Sequence, residues 1–265
     1  MARGGPEPNG PRELVPREKT PLPAPLPPET RTVGQLVAET IRVYQRNVWR
    51  SLAIGVLPGV ASVVAAGFTG WHRYAFAAAA APVFTLSYVL GVGIVAGVPV
   101  RGRPALTALG AGILVYLPFP LLASIFVLPG LAWLALFGLV VPVALIDELG
   151  LRASFSRALQ LARADYIHAL GSLFTLAVLV VLTQGVAFYL LRNFADTAGR
   201  TGGAVAGIVL SPLLFLGAAM LYGDQAARLG SRTRRPRRSD ADLPDADDSH
   251  GEGRADAQLQ PGAPS

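Results

Sequence analysis

The sequence predicts an all-α, polytopic integral membrane protein with about six transmembrane helices and two amphipathic helices at the membrane surface. Three observations carry this. Apolar residues fill 52% of the 265 positions and charged residues only 15%, against about 25% charged in a soluble domain. The charge is unevenly placed: Arg73 is the only charged side chain between Ser51 and Val100, and none lies between Ala105 and Ile146. Apolar runs recur at lengths that suit a bilayer, since about 20 residues rising 1.5 Å each cross roughly 30 Å of hydrocarbon.

Taken in order, residues 1–31 are rich in proline and lack the apolar core of a signal peptide. Their composition reads as a disordered tail. The membrane domain is expected over 32–230, and a second disordered tail over 231–265. Thr32 to Arg50 has helical periodicity, with Val33, Leu36, Val37, Ile41, Tyr44 and Val48 on one face. Thr32 and Gln35 form a T-x-x-Q capping box at its start. This is the first amphipathic helix, expected to lie on the membrane surface.

Six apolar segments follow: Ser51 to Phe68, Ala75 to Val98, Ala105 to Leu128, Gly130 to Ile146, Ala169 to Leu191 and Gly203 to Tyr222. "VLPG" is the expected turn between the third and fourth. Six prolines fall within them (Pro58, Pro82, Pro118, Pro120, Pro142 and Pro212). Each would cost about 3 kcal/mol inside a soluble helix. In membranes, neighbouring groups re-satisfy the freed carbonyls. Kinks are expected, above all at "LPFP" (Leu117 to Pro120).

With six crossings, twenty of the 23 basic residues fall on one side, and only Arg73, Arg192 and Arg200 on the other. The excess of positive charge places both termini in the cytoplasm. Arginine dominates so strongly, with Lys19 the one lysine and Ala and Gly abundant, that a bacterial chain in the cytoplasmic membrane is expected.

Asp147 and Glu148 stand where the fourth segment leaves the membrane. They precede a second amphipathic stretch, Leu151 to Tyr166, with Arg157 and Arg163 on it. A helix N-terminus favours negative charge, which accounts structurally for the two acids. No acidic or basic side chain and no histidine falls near the middle of any segment. Such residues mark proton relays and ion pathways, so their absence argues against an ion-coupled transporter. Among the polar residues in the segments, Thr183 and Gln184 are adjacent and deep in the fifth. They suit either an interhelical hydrogen bond or a polar cavity with Tyr88 and Tyr116. Gly55 to Gly59 and Gly203 to Gly207 have the G-x-x-x-G spacing of close helix contacts.

The chain has no cysteine and three scattered histidines, and carries no phosphate loop, nucleophile elbow or zinc motif. No cofactor, metal or catalytic residue is expected, and the chain is not expected to be an enzyme. The run "RTRRPRR", with Arg232, Arg234, Arg235, Arg237 and Arg238, follows the last segment. It suits anionic lipid headgroups, at about 1 kcal/mol per residue near the surface, and no nucleic-acid-binding fold surrounds it.

Three stretches, "VGQLVAETIRVYQRNVWRSLAIGVLPGV", "VPVALIDELGLRASFSRALQLARADYIHALGSL" and "AMLYGDQAARLGSR", resemble the membrane domain of some bacterial glycerophosphoryl diester phosphodiesterases, a domain also found in stand-alone membrane proteins. Glu148, Arg157, Arg163, Tyr222 and Asp224 match its pattern. Gly223 departs from it, because a second aromatic is common there. The resemblance implies a membrane domain of six or so helices without the catalytic barrel, and so no phosphodiesterase activity. The first functional expectation is a non-enzymatic membrane scaffold or partner subunit. The alternative is a passive transporter or lipid-handling membrane protein with a polar cavity around Thr183 and Gln184. A third, a membrane-embedded enzyme, would use Asp147 and Glu148 in an open cleft with Arg157.

Overall fold

The computed structural model describes residues 27–191 and 196–234, which are helical with no strand among them. A 3-10 turn at Pro28–Thr30 leads to α1 (Val33–Arg46). The Thr32 hydroxyl accepts from the Gln35 N–H and the Gln35 side chain accepts from the Thr32 N–H, completing the expected capping box. Leu36 and Thr40 face inward, while Ile41 and Val48 stay exposed, so only part of the anticipated apolar face meets protein. The 3-10 turn ahead of α1 contacts the last helix.

The chain is a polytopic membrane protein. Val48–Ala66, Gly102–Ile125, Val127–Ile146, Tyr166–Leu191 and Thr201–Ser231 are each long and apolar enough to cross a bilayer, which makes five spans, or six where a bent pair counts as one broken span. That pair replaces the single second helix expected at Ala75 to Val98. α3 (Trp71–Ala79) and α4 (Ala81–Ala96) meet at 45° around Ala80. Pro82 cannot donate to the Ala78 carbonyl, so the helix cannot run straight through. Trp71 to Tyr74 form the first turn of α3.

α2 (Val48–Ala66) keeps its helix through Pro58, which leaves the Ile54 carbonyl without its usual donor. The Ser87 hydroxyl of α4 donates to that oxygen at 3.1 Å. α5 (Gly102–Tyr116) ends at Leu117–Pro118, and α6 (Phe119–Ile125) resumes, so the kink falls at "LPFP" as expected. The expected turn at "VLPG" is displaced. Extended Phe126 (φ −165°) makes the reversal, and Val127 to Gly130 open α7 (Val127–Phe137). Proline is tolerated in a helix's first turn, where no N–H is needed, so Pro129 marks a helix start rather than a loop.

α8 (Val140–Ile146) follows a break at Gly138–Leu139, and Val140 to Leu145 are all buried. It sits between two core clusters. Val140 and Val143 join Leu36, Val115, Leu161, Leu173 and Leu221; Val141 and Leu145 join Ile54, Val89, Val92 and Phe215. Lipid is as apolar as these side chains, so close fit, not expulsion of water, holds such a core together. α9 (Leu151–Ala164) packs on α7 and α8. α10 (Tyr166–Leu191) and α11 (Asp196–Arg234, continuous through Pro212) complete the bundle.

The two G-x-x-x-G motifs part ways. At Gly55 a Cβ would collide with the Ile208 carbonyl and lie 2.9 Å from Pro212, and at Gly59 it would collide with the Ile208 side chain. Here α2 and α11 cross in backbone contact. A Cβ on Gly203 would meet nothing, and one on Gly207 only the Gln184 amide at 3.6 Å. That second motif borders open space.

Candidate functional site

Two places gather polar or unfilled features. The first is built around Asp165, which ends α9 (φ −153°, ψ 74°) and begins α10. Its Oδ1 accepts from the His168 N–H at 3.2 Å, capping α10. Its Oδ2 pairs with Arg228 Nη1 of α11 at 2.7 Å, and its carbonyl accepts from the Gln225 amide at 3.1 Å. Arg228 Nη2 donates to the Arg31 carbonyl at 2.7 Å and lies 3.4 Å from His168 Nε2. Arg31 in turn pairs with wholly buried Asp224 at 2.7 Å. Two arginines thus meet two aspartates, and the N-terminal segment is fastened to α11 and to the α9–α10 junction. Asp224 Oδ2, Gln225 Oε1 and Arg228 Nε remain buried without protein partners.

Beside this cluster the Tyr222 hydroxyl donates to Asp147 Oδ1 at 2.6 Å, joining the end of α8 to α11. Arg157, on α9, is within electrostatic reach of that hydroxyl but forms none of the ion pairs among the described residues. The two acids do not cap α9, because Gly150 is its N-cap. Asp147 instead closes α8 and turns to the last helix. Glu148 is exposed, makes none of the ion pairs, and holds a left-handed backbone (φ 53°) that favours glycine. Arg163 is exposed as well. Asp147 and Arg157 thus both lie near the Tyr222 hydroxyl, and no ion pair among the described residues links Asp147, Glu148 and Arg157. Arg232 and Arg234 lie on the last turn of α11, and Arg235, Arg237 and Arg238 lie outside the described residues.

Of this cluster, sequence reasoning singled out Asp224, along with neighbouring Asp147 and Tyr222. It missed Arg31, Asp165, His168, Gln225 and Arg228. A usable signal existed for Asp165, an aspartate between two helical patterns with the spacing of an N-cap.

The second place is a cavity of about 420 Å³ between α2, α4, α5, α7, α10 and α11. Tyr88, Tyr116 and Gln184 line it, as anticipated for a cavity in the membrane. Thr183 does not: it is exposed, and its hydroxyl donates back to the Leu179 carbonyl at 2.7 Å. The walls are mainly apolar, including Leu131, Leu173, Leu214 and Phe215. Tyr88, only 1% exposed, sets its ring edge-on to Tyr116 at 6.4 Å and lies 6.3 Å from Phe215. Of its lining, Val127 and Val181 are 59% and 65% exposed, so the cavity opens on an apolar outer flank of the bundle. A second cavity of about 590 Å³ meets it at Ser62 and Gln184 and runs along Gly59, Phe188, Gly203 and Gly207. The G-x-x-x-G of α11 thus supplies open volume. No charged side chain borders either cavity, and no group of three or more His, Cys, Asp or Glu able to hold a metal occurs among the described residues.

What these features can do differs. The Asp165 cluster pairs each of its aspartates with an arginine among the described residues. The cavity offers shape, apolar walls and a few neutral hydrogen-bonding groups, which suits a chain-like, uncharged moiety. No protein-family model, no curated protein and no solved structure matches this chain.

Proposed function

We propose that the protein is a non-enzymatic, lipid-handling membrane protein that holds an apolar chain between its helices. The observation that carries this reading is the apolar cavity at Tyr88, Tyr116 and Gln184, open toward lipid at Val127 and Val181. An acyl or prenyl chain already in the bilayer could enter from the side without crossing water. The expected cavity around Thr183 and Gln184 thereby keeps Gln184 and changes character, from polar to mainly apolar. A scaffold role draws no comparable support, because the charges at the Asp165 end pair within the chain. The arginine asymmetry supports a bacterial cytoplasmic membrane with both termini inside, and Arg232 to Arg238 against anionic headgroups there. The resemblance to a membrane domain lacking its catalytic barrel belongs to the same proposal.

Native mass spectrometry of the purified protein tests it. Wild type should carry a lipid, and Ala177→Trp, which fills the cavity wall, should lose most of it. Val178→Trp, on the adjacent outward face, should keep it. Equal lipid on Ala177→Trp and wild type would overturn the reading.

A further inference from the structure

A third cavity, of about 370 Å³, lies on the α3 side of the bundle and is lined by Arg73, Tyr74, Ser62, Phe84, Pro120 and Ser124. It shares Ser62, Phe84 and Ala123 with the apolar cavity, so the two adjoin there. Its lining mixes polar and apolar groups in near-equal parts where the neighbour's is mainly apolar. Arg73 is exposed and forms none of the ion pairs or side-chain hydrogen bonds among the described residues, and the Tyr74 hydroxyl likewise has no partner there. Nor can a near neighbour in sequence neutralise Arg73: residues 40–146 hold no Asp or Glu at all. Every element lining this cavity comes from that acid-free span. Trp71 and Tyr74, both exposed on α3, are residue types that settle at the headgroup level of a bilayer.

We infer that the bound molecule is an anionic amphiphile, its negatively charged headgroup at Arg73 and Tyr74 and its chain passing Ser62 and Phe84 into the apolar cavity. The inference rests on the lipid-handling reading and adds the headgroup class and the orientation. The division of labour follows from the solvent. Moving a hydrocarbon tail from bilayer to an apolar cavity changes its surroundings little, so the tail contributes little selectivity. The headgroup contact decides which lipid is held. An arginine with no carboxylate partner among the described residues, presenting up to five N–H donors, favours a head of net negative charge over a zwitterionic one, whose phosphate is offset by its own ammonium.

The test uses the full chain reconstituted in vesicles of equal parts phosphatidylglycerol and phosphatidylcholine, with bound lipid counted by native mass spectrometry. Wild type should enrich the anionic lipid about fivefold over the vesicle ratio. Arg73→Gln should abolish the enrichment while total bound lipid stays unchanged, Arg73→Lys should retain most of it, and Arg101→Gln should behave as wild type. Unchanged enrichment in Arg73→Gln would overturn the inference, as would displacement of the lipid by millimolar inorganic phosphate. Failure of the underlying reading looks different, because Ala177→Trp would then carry as much total lipid as wild type.

Discussion

The two ends of the molecule handle arginine in opposite ways. At the Asp165 end, Arg31 and Arg228 are each matched by an aspartate within 2.7 Å and shielded from solvent. At the α3 end, Arg73 stands exposed beside a cavity in a stretch of the chain without any acid. The first arrangement closes a structure and the second leaves a charge available. The packing follows the same division. The buried residues of α10, Ala169, Ser172, Leu173, Leu176 and Val180, end at Val180, whereas Val186, Tyr189 and Leu190 beyond it are exposed. One end is a clamp, and the other is looser and holds the cavities.

The sharpest way to break this comparison is to open the clamp. Asp224→Ala leaves Arg31 without its carboxylate in a buried setting and should cost about 3 kcal/mol, read as a fall in the melting midpoint in detergent. The double change Arg31→Met with Asp224→Leu should recover most of that, since apolar replacements remove the uncompensated charge. If Asp224→Ala melts like wild type, the end is not clamped by this pair.

Next in size is the helix crossing. Gly55→Val forces side-chain atoms into the Ile208 carbonyl and Pro212 and should cost about 2 kcal/mol by overpacking. Gly203→Val enters open space and should change the melting midpoint little, while reducing the volume of the cavity beside it. Equal losses would mean that both motifs are helix contacts. A smaller effect is expected for Tyr222→Phe, which removes one hydrogen bond to Asp147, worth about 1 kcal/mol. The smallest is at Glu148, where glycine would relieve the left-handed backbone. Glu148→Gly should stabilise by roughly 0.5 kcal/mol, and Glu148→Gln should be near neutral, because no ion pair is lost.

How much of this was legible in the sequence depends on the range of the interaction. The apolar runs located the five long spans and the bent pair, since lack of charge over twenty residues is a local property. Proline placed the break at Leu117–Pro118. It misled at "VLPG", because Pro129 fits a helix's first turn as well as a loop. The capping box at Thr32 involves neighbours and was readable. The clamp was not. Asp224 and Arg228 stand four apart on one helix, the spacing of a local pair. Yet each reaches past the other, Asp224 to Arg31 and Arg228 to Asp165. Tyr222 and Asp147 likewise meet across 75 positions. At the cavity, Gln184 was identifiable by depth and polarity. Thr183 beside it was not separable, because only the rotation of α10 decides which of two neighbours faces inward.

Photo-crosslinking with a lipid whose acyl chain carries a diazirine tests the central claim most directly, since the adduct reports where the chain lies. The account predicts adducts on inward residues of the cavity, Tyr88, Leu214 and Phe215, that disappear in Ala177→Trp. Adducts confined to outward residues such as Val186 and Leu190, and unaffected by Ala177→Trp, would contradict it.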